Sequence, residues 1–201
     1  MKFWLAAAAA VCGANLPLTA TAQDWYARAD GSVVAGSMDV DLFPFGAPVT
    51  GATDTLNVDL GPGVQLTAAA GIELENGFSV EGQAVYMRSQ LDGIDAGQDL
   101  DVYTSLTGGM LRGIYVVERA GLKPYIAVGA GYGTAQVGST DGTVGSALTG
   151  NGAMWSADIG AEYPLSGQAS LTAGYGFLGG DFDIYQPEIH RLFVGVKVRF
   201  K

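Results

Sequence analysis

The residues able to do chemistry in this chain are few, and their spacing argues against most centres. His190 is the only histidine, which excludes multi-histidine metal sites and two-histidine proton relays. A hydrolytic pairing needs a serine on the same face, yet Arg191 and Leu192 follow and no serine stands two residues away. Asp181 and Asp183 lie close in sequence, but acidic residues recur in every polar segment, so His190 reads as a rim residue. Asp92, Asp95, Asp99 and Asp101, or Asp39 with Asp41, offer the hard oxygen ligands that calcium takes. Their spacing is not that of an EF-hand, and Asp is common in solvated Gly-rich turns, so no metal and no cofactor is expected. The run Gly129-x-Gly131-x-Gly133 imitates a nucleotide fingerprint, but no helix follows it.

The informative charges are of another kind. Arg28, Asp30, Glu73, Glu81, Asp158, Glu162, Arg191, Lys197 and Arg199 each sit inside an otherwise apolar or glycine-rich stretch. Both signs are present in similar number. Charges held in a narrow interior are costly unless paired, so these nine are expected to form salt-bridged networks that fill it.

Strands are the elements that position them. Successive side chains of a strand point to opposite faces, so each strand writes two interleaved strings. From Val64 to Leu74, Val64, Leu66, Ala68, Ala70, Ile72 and Leu74 alternate with Gln65, Thr67, Ala69, Gly71 and Glu73. After Glu75-Asn76-Gly77, Phe78, Val80, Gly82, Ala84 and Tyr86 alternate with Ser79, Glu81, Gln83, Val85 and Met87. Asn-Gly is a strong hairpin signal because both residues tolerate positive φ. The same alternation opens the domain at Trp25, runs through Ile126–Gly133, Trp155–Tyr163 and Ser170–Phe177, and closes it at Arg191–Phe200. Residues 102–117 resist the scheme. One frame turns Leu106, Met110, Ile114 and Val116 outward but takes Arg112 with them; the other buries Arg112 among apolar side chains. A β-bulge is expected to reconcile the two.

The first residues are set apart from the fold. Met1-Lys2, the apolar run Phe3–Val11 and the small residues Ala20-Thr21-Ala22 make residues 1–22 a cleaved secretory signal, with one domain over 23–201. A lipoprotein signal using Cys12 competes, but the branched Val11 before it fits poorly. Cys12 is the only cysteine, so the domain beyond the signal has neither disulfides nor thiolate chemistry. Without Lys2 the domain carries nine basic against twenty acidic residues, too acidic for phosphate-backbone binding, so no nucleic acid is expected as partner.

Short turns at 75–77, 119–124 and 164–168 alternate with long polar connections at about 37–61, 89–101, 136–152 and 179–188. That arrangement predicts an all-β fold: a single antiparallel eight-stranded up-and-down transmembrane β-barrel. A soluble β-domain is the competing reading. A solvent-facing polar string, however, would carry more long charged chains and fewer glycines. Aromatics at the string ends (Trp25, Tyr86, Tyr132, Trp155, Tyr163 and Phe200) suit the two interfaces of a bilayer.

The chain resembles the small OmpA/OmpX-type eight-stranded outer-membrane barrels. The likeness is carried by Gly77-Phe78-Ser79-Val80-Glu81-Gly82, Lys123-Pro124-Tyr125-Ile126-Ala127-Val128-Gly129-Ala130-Gly131-Tyr132, Ala173-Gly174-Tyr175-Gly176-Phe177-Leu178 and Phe193-Val194-Gly195-Val196-Lys197-Val198-Arg199-Phe200. It implies an outer-membrane address, contact with outer-membrane lipid, and a terminal aromatic, here Phe200, read by the barrel-assembly machinery; Lys201 departs from that pattern. It implies no cell-wall tether, because the peptidoglycan-binding domain of larger members is not seen here. The expectation is a non-enzymatic surface barrel with a largely plugged lumen, its four outer loops open to surface ligands. A small ion- or solute-conducting pore is the alternative, and a barrel hydrolase a distant one.

Overall fold

A computed structural model describes residues 24–41, 55–92, 102–117, 121–139, 148–183 and 185–200. The signal assigned to 1–22 lies outside them, as do Asp95, Asp99, Asp101 and Lys201. Eight strands follow in chain order: β1 (Asp24–Asp41), β2 (Thr55–Glu73), β3 (Phe78–Asp92), β4 (Val102–Val116), β5 (Lys123–Ser139), β6 (Leu148–Pro164), β7 (Ala169–Phe182) and β8 (Tyr185–Phe200). Each pairs antiparallel with its sequence neighbours, and β8 returns to β1 with Trp25 opposite Phe200. Closure leaves no lateral sheet edge. No described helix is long and apolar enough to cross a membrane.

The turn at Glu75-Asn76-Gly77 has φ of 64° at Asn76 and 80° at Gly77, the left-handed pair that Asn-Gly accepts at little cost. At the opposite end the strands run far into segments expected to be loops. They are 14 to 19 residues long, against about 9–11 needed to cross hydrocarbon. The connection expected at 179–188 is corrected outright. Phe182 pairs with Tyr185, so β7 and β8 join through two residues. Long connections therefore number three instead of four.

The alternation sorts side chains as the pleat requires. On β3, Phe78, Val80 and Tyr86 face outward and exposed, while Ser79, Glu81 and Gln83 are buried inside. From Phe78 to Tyr86 on β3, and from Phe200 back to Leu192 on β8, the outward apolar run is nine residues, the height of a hydrocarbon slab. Trp25, Phe78, Tyr115, Tyr163 and Phe200 edge it at the short-turn end, and Tyr86, Tyr132 and Trp155 at the other.

No bulge interrupts β4. Its pairing with β3 runs unbroken from Phe78↔Tyr115 to Gln90↔Tyr103. Arg112 points inward, and so do Leu106, Met110, Ile114 and Val116. The second frame holds because the interior is itself part apolar. The register shifts fall instead at Val34/Gly36 and Leu60/Gly63, near the tops of β1 and β2.

Candidate functional site in the barrel interior

The interior has two storeys. Toward the short turns it is mainly charged, with one apolar patch of Ile114, Val116, Tyr125, Ala127 and Phe193 on its β4–β5 side. Toward the long connections it is an apolar cluster of Val34, Met38, Leu60, Val85, Met87, Leu106 and their neighbours up to Ile189.

Arg112 is the hub of the charged storey. Its Nη1 donates to Glu81 Oε1 at 2.8 Å and to Gln83 Oε1 at 2.8 Å, while its Nη2 pairs with Asp158 Oδ2. Arg28 Nη2 reaches the same Glu81 oxygen at 2.6 Å, and its Nη1 lies 3.1 Å from Asp30. Arg191 Nη2 holds Asp158 Oδ1 at 2.7 Å. Three cations thus face three carboxylates, all with side chains almost wholly buried. Thr172 donates to Asp30 Oδ1 at 3.1 Å and Tyr26 to Glu81 Oε2 at 3.0 Å, occupying further lone pairs. Such a set survives burial only because each charge has a near partner; removing one strands the others.

A second, smaller ring lies nearer the short-turn mouth. Lys197 Nζ bridges Glu73 at 2.6 Å and Glu162 at 2.7 Å. Arg199 bridges the same two carboxylates through Nε at 2.9 Å and Nη2 at 2.8 Å. Two cations face two carboxylates, and Arg199 and Glu73 remain partly accessible, at 19% and 26%. Tyr26 ties the rings together: its hydroxyl binds Glu81 while Lys197 Nζ sits 4.1 Å over its ring.

Glycine makes the room. A Cβ at Gly71 would stand 2.7 Å from the Tyr26 hydroxyl, and one at Gly129 would stand 2.5 Å from Arg112 Cγ. Large inward side chains thus lie over glycines of the adjacent strand. This accounts for the glycines that share the polar strings with the charges.

All nine charges singled out in the sequence lie within these two rings. Arg112, Tyr26 and Gln83 were missed as members. For Arg112 the available signal was Tyr115, an aromatic three residues on that suits an outward interfacial place and so turns Arg112 inward. Phe200 is outward and exposed at the short-turn end. His190 faces outward on β8, one outward position above Leu192 where the apolar belt ends, at the rim. Its Nδ1 is 2.5 Å from the Tyr175 hydroxyl and its ring packs edge-on to Phe177. Among the described residues no group of three or more His, Cys, Asp and Glu side chains is arranged to hold a metal.

Residues 4–200 match the family model described as outer membrane protein beta-barrel domain. Among solved structures, Neisserial surface protein A is similar at 17% identity and a TM-score of 0.59, with 90% of this chain and 100% of that one covered. A major outer membrane protein from Thermus thermophilus is similar at 17% identity and 0.57, over 90% and 100%. The outer membrane protein OprG from Pseudomonas aeruginosa is similar at 15% and 0.53, over 89% and 96%. At such identities these likenesses concern the fold. No curated protein matches the chain in sequence.

Proposed function

The chain belongs to the outer membrane protein β-barrel domain family, and from that premise we propose that it is a non-enzymatic surface barrel whose lumen is closed. The family places it in the outer membrane, and in such barrels the short turns face the periplasm. The observation that carries the reading is the paired charge set centred on Arg112. Three cations and three carboxylates occupy the middle of an eight-stranded barrel, a size whose interior side chains can fill. The apolar storey above the set adds a second seal. What the cell gains is then the outer end: strands that rise beyond the hydrocarbon and three long connections held on a rigid wall for surface partners. The secretory signal and the reading of Phe200 by the assembly machinery complete the proposed route to the membrane.

The outward place of His190 supports the non-enzymatic part, because its described polar partner is Tyr175, not a serine or carboxylate. Liposome swelling tests the closed lumen. Vesicles carrying the purified chain are expected to swell in isotonic glycine no faster than empty ones, whereas swelling that rises with protein content would move the function to solute passage.

A further inference from the structure

Above the apolar belt, the outer wall of the barrel carries its described charges unevenly. On β7, β8, β1, β2 and the turn between β7 and β8 the exposed side chains include Asp181, Asp183, Glu188, Asp39 and Asp59, with no Lys or Arg above the belt among the described residues. On β3 to β6, next to the belt and up to Gln90 and Tyr103, the outward positions carry Arg88 together with Ser105, Thr107, Thr134 and Gln136; higher up, β3 ends at Asp92, in register with Asp59. Arg88 is the one cation among the described residues that faces outward above the belt. Its guanidinium lies 4.1 Å from the centre of the Tyr103 ring, one outward position above Tyr86.

Below Arg88, on β2 to β5, the belt is hollow. Gly82, Ala84, Gly109 and Ala130, walled by Leu111 and Tyr132, line an apolar groove of about 780 Å³ on the lipid-facing side. The fold does not ask for these glycines. A Cβ at Gly82 meets nothing within 4 Å, and one at Gly109 meets only the Gln83 carbonyl, at 3.9 Å. The inward Gly71 and Gly129 are different, each pressed by a neighbour's side chain. Glycine weakens a strand interior, so a hollow with no internal reason points to something that approaches from outside.

We propose that this groove and Arg88 form one binding site for an anionic outer-leaflet lipid, one whose phosphate is not neutralised by a cationic headgroup. An acyl chain lies in the groove, and the headgroup phosphate meets Arg88. Arg88 stands four residues above Ala84, about 13 Å along the strand and roughly 10 Å along the membrane normal at the usual tilt, on the headgroup side of the groove. Arg88, the one described outward cation above the belt, gives the barrel one lipid-selecting side. A zwitterionic lipid fills the groove equally well but gains less at Arg88.

The test uses the full chain purified from outer membranes in mild detergent, with dioleoyl phosphatidate or dioleoyl phosphatidylcholine added and retention read by native mass spectrometry. Wild type is expected to retain phosphatidate about fivefold over phosphatidylcholine, the selectivity of one cation near a membrane surface. Arg88→Gln levels the two lipids. Gly82→Leu with Gly109→Leu lowers both severalfold. Gly31→Leu, which places its side chain in equally open space on β1, leaves retention unchanged and controls for bulk alone. Equal retention of the two lipids by wild type overturns the proposal, and so does a loss with Gly31→Leu as large as that from filling the groove. Displacement of phosphatidate by equimolar inorganic phosphate also overturns it, assigning Arg88 to a free anion.

Discussion

The two storeys of the barrel interior solve one filling problem with opposite materials. The lower is built around a lattice of charges, packed on one side against Ile114, Val116 and Tyr125, in which each charge has named partners: Arg112 with Glu81 and Asp158, Lys197 and Arg199 with Glu73 and Glu162. The upper is apolar and holds all four methionines that follow Met1, namely Met38, Met87, Met110 and Met154. A charge in a narrow interior must meet its partner at a set distance and angle, whereas a thioether chain turns to fill whatever gap is left. The lower storey should therefore reject even conservative change, and the upper should absorb it. The stability of the refolded barrel against urea measures the difference.

Arg112→Ala is expected to act most strongly, costing about 3–5 kcal/mol, because it leaves Glu81 and Asp158 each short of a buried partner. A loss below about 1 kcal/mol would mean that water already serves those carboxylates. Met154→Ala should cost less, near the lower end of the roughly 2–5 kcal/mol range for a buried truncation, since the neighbouring methionines can move into the space. The conservative pair sharpens the contrast. Arg112→Lys loses the fork that spans two carboxylates and should cost about 2 kcal/mol. Met110→Leu keeps its volume and should stay below about 1.5 kcal/mol. Equal values for the two would erase the distinction between storeys. Arg199→Gln comes last, at no more than about 1 kcal/mol, because the mouth ring is reached by solvent.

The strand pattern was legible because lipid and lumen impose strict alternation. Val80 and Glu81, or Val196 and Lys197, announce their faces with no help from tertiary context. Arg112 was not legible for the same reason inverted. Where the lumen is apolar, alternation loses its contrast, and Met110, Ile114 and Val116 read as lipid-facing although they line the inside. The connection at 179–188 misled differently. Gly179, Gly180, Asp181 and Pro187 carry loop chemistry, but Gly180 lies under the Phe182 ring and Pro187 is turned inward opposite Met38. Beyond the hydrocarbon, outward positions are free to be polar, so a strand that continues there carries the composition of a loop. The identity of the charged residues could be read from the chain. Their division into two neutral rings depends on cross-strand register and could not.

The closed lumen is tested most directly by the ionic current through a planar bilayer containing the purified chain, with insertion established independently by its heat-dependent shift on a gel. The lattice centred on Arg112 predicts a silent bilayer. Discrete, reproducible current steps, altered in size or ion preference by Glu73→Gln or Arg199→Gln, would contradict it and make the mouth ring the selective element of a pore.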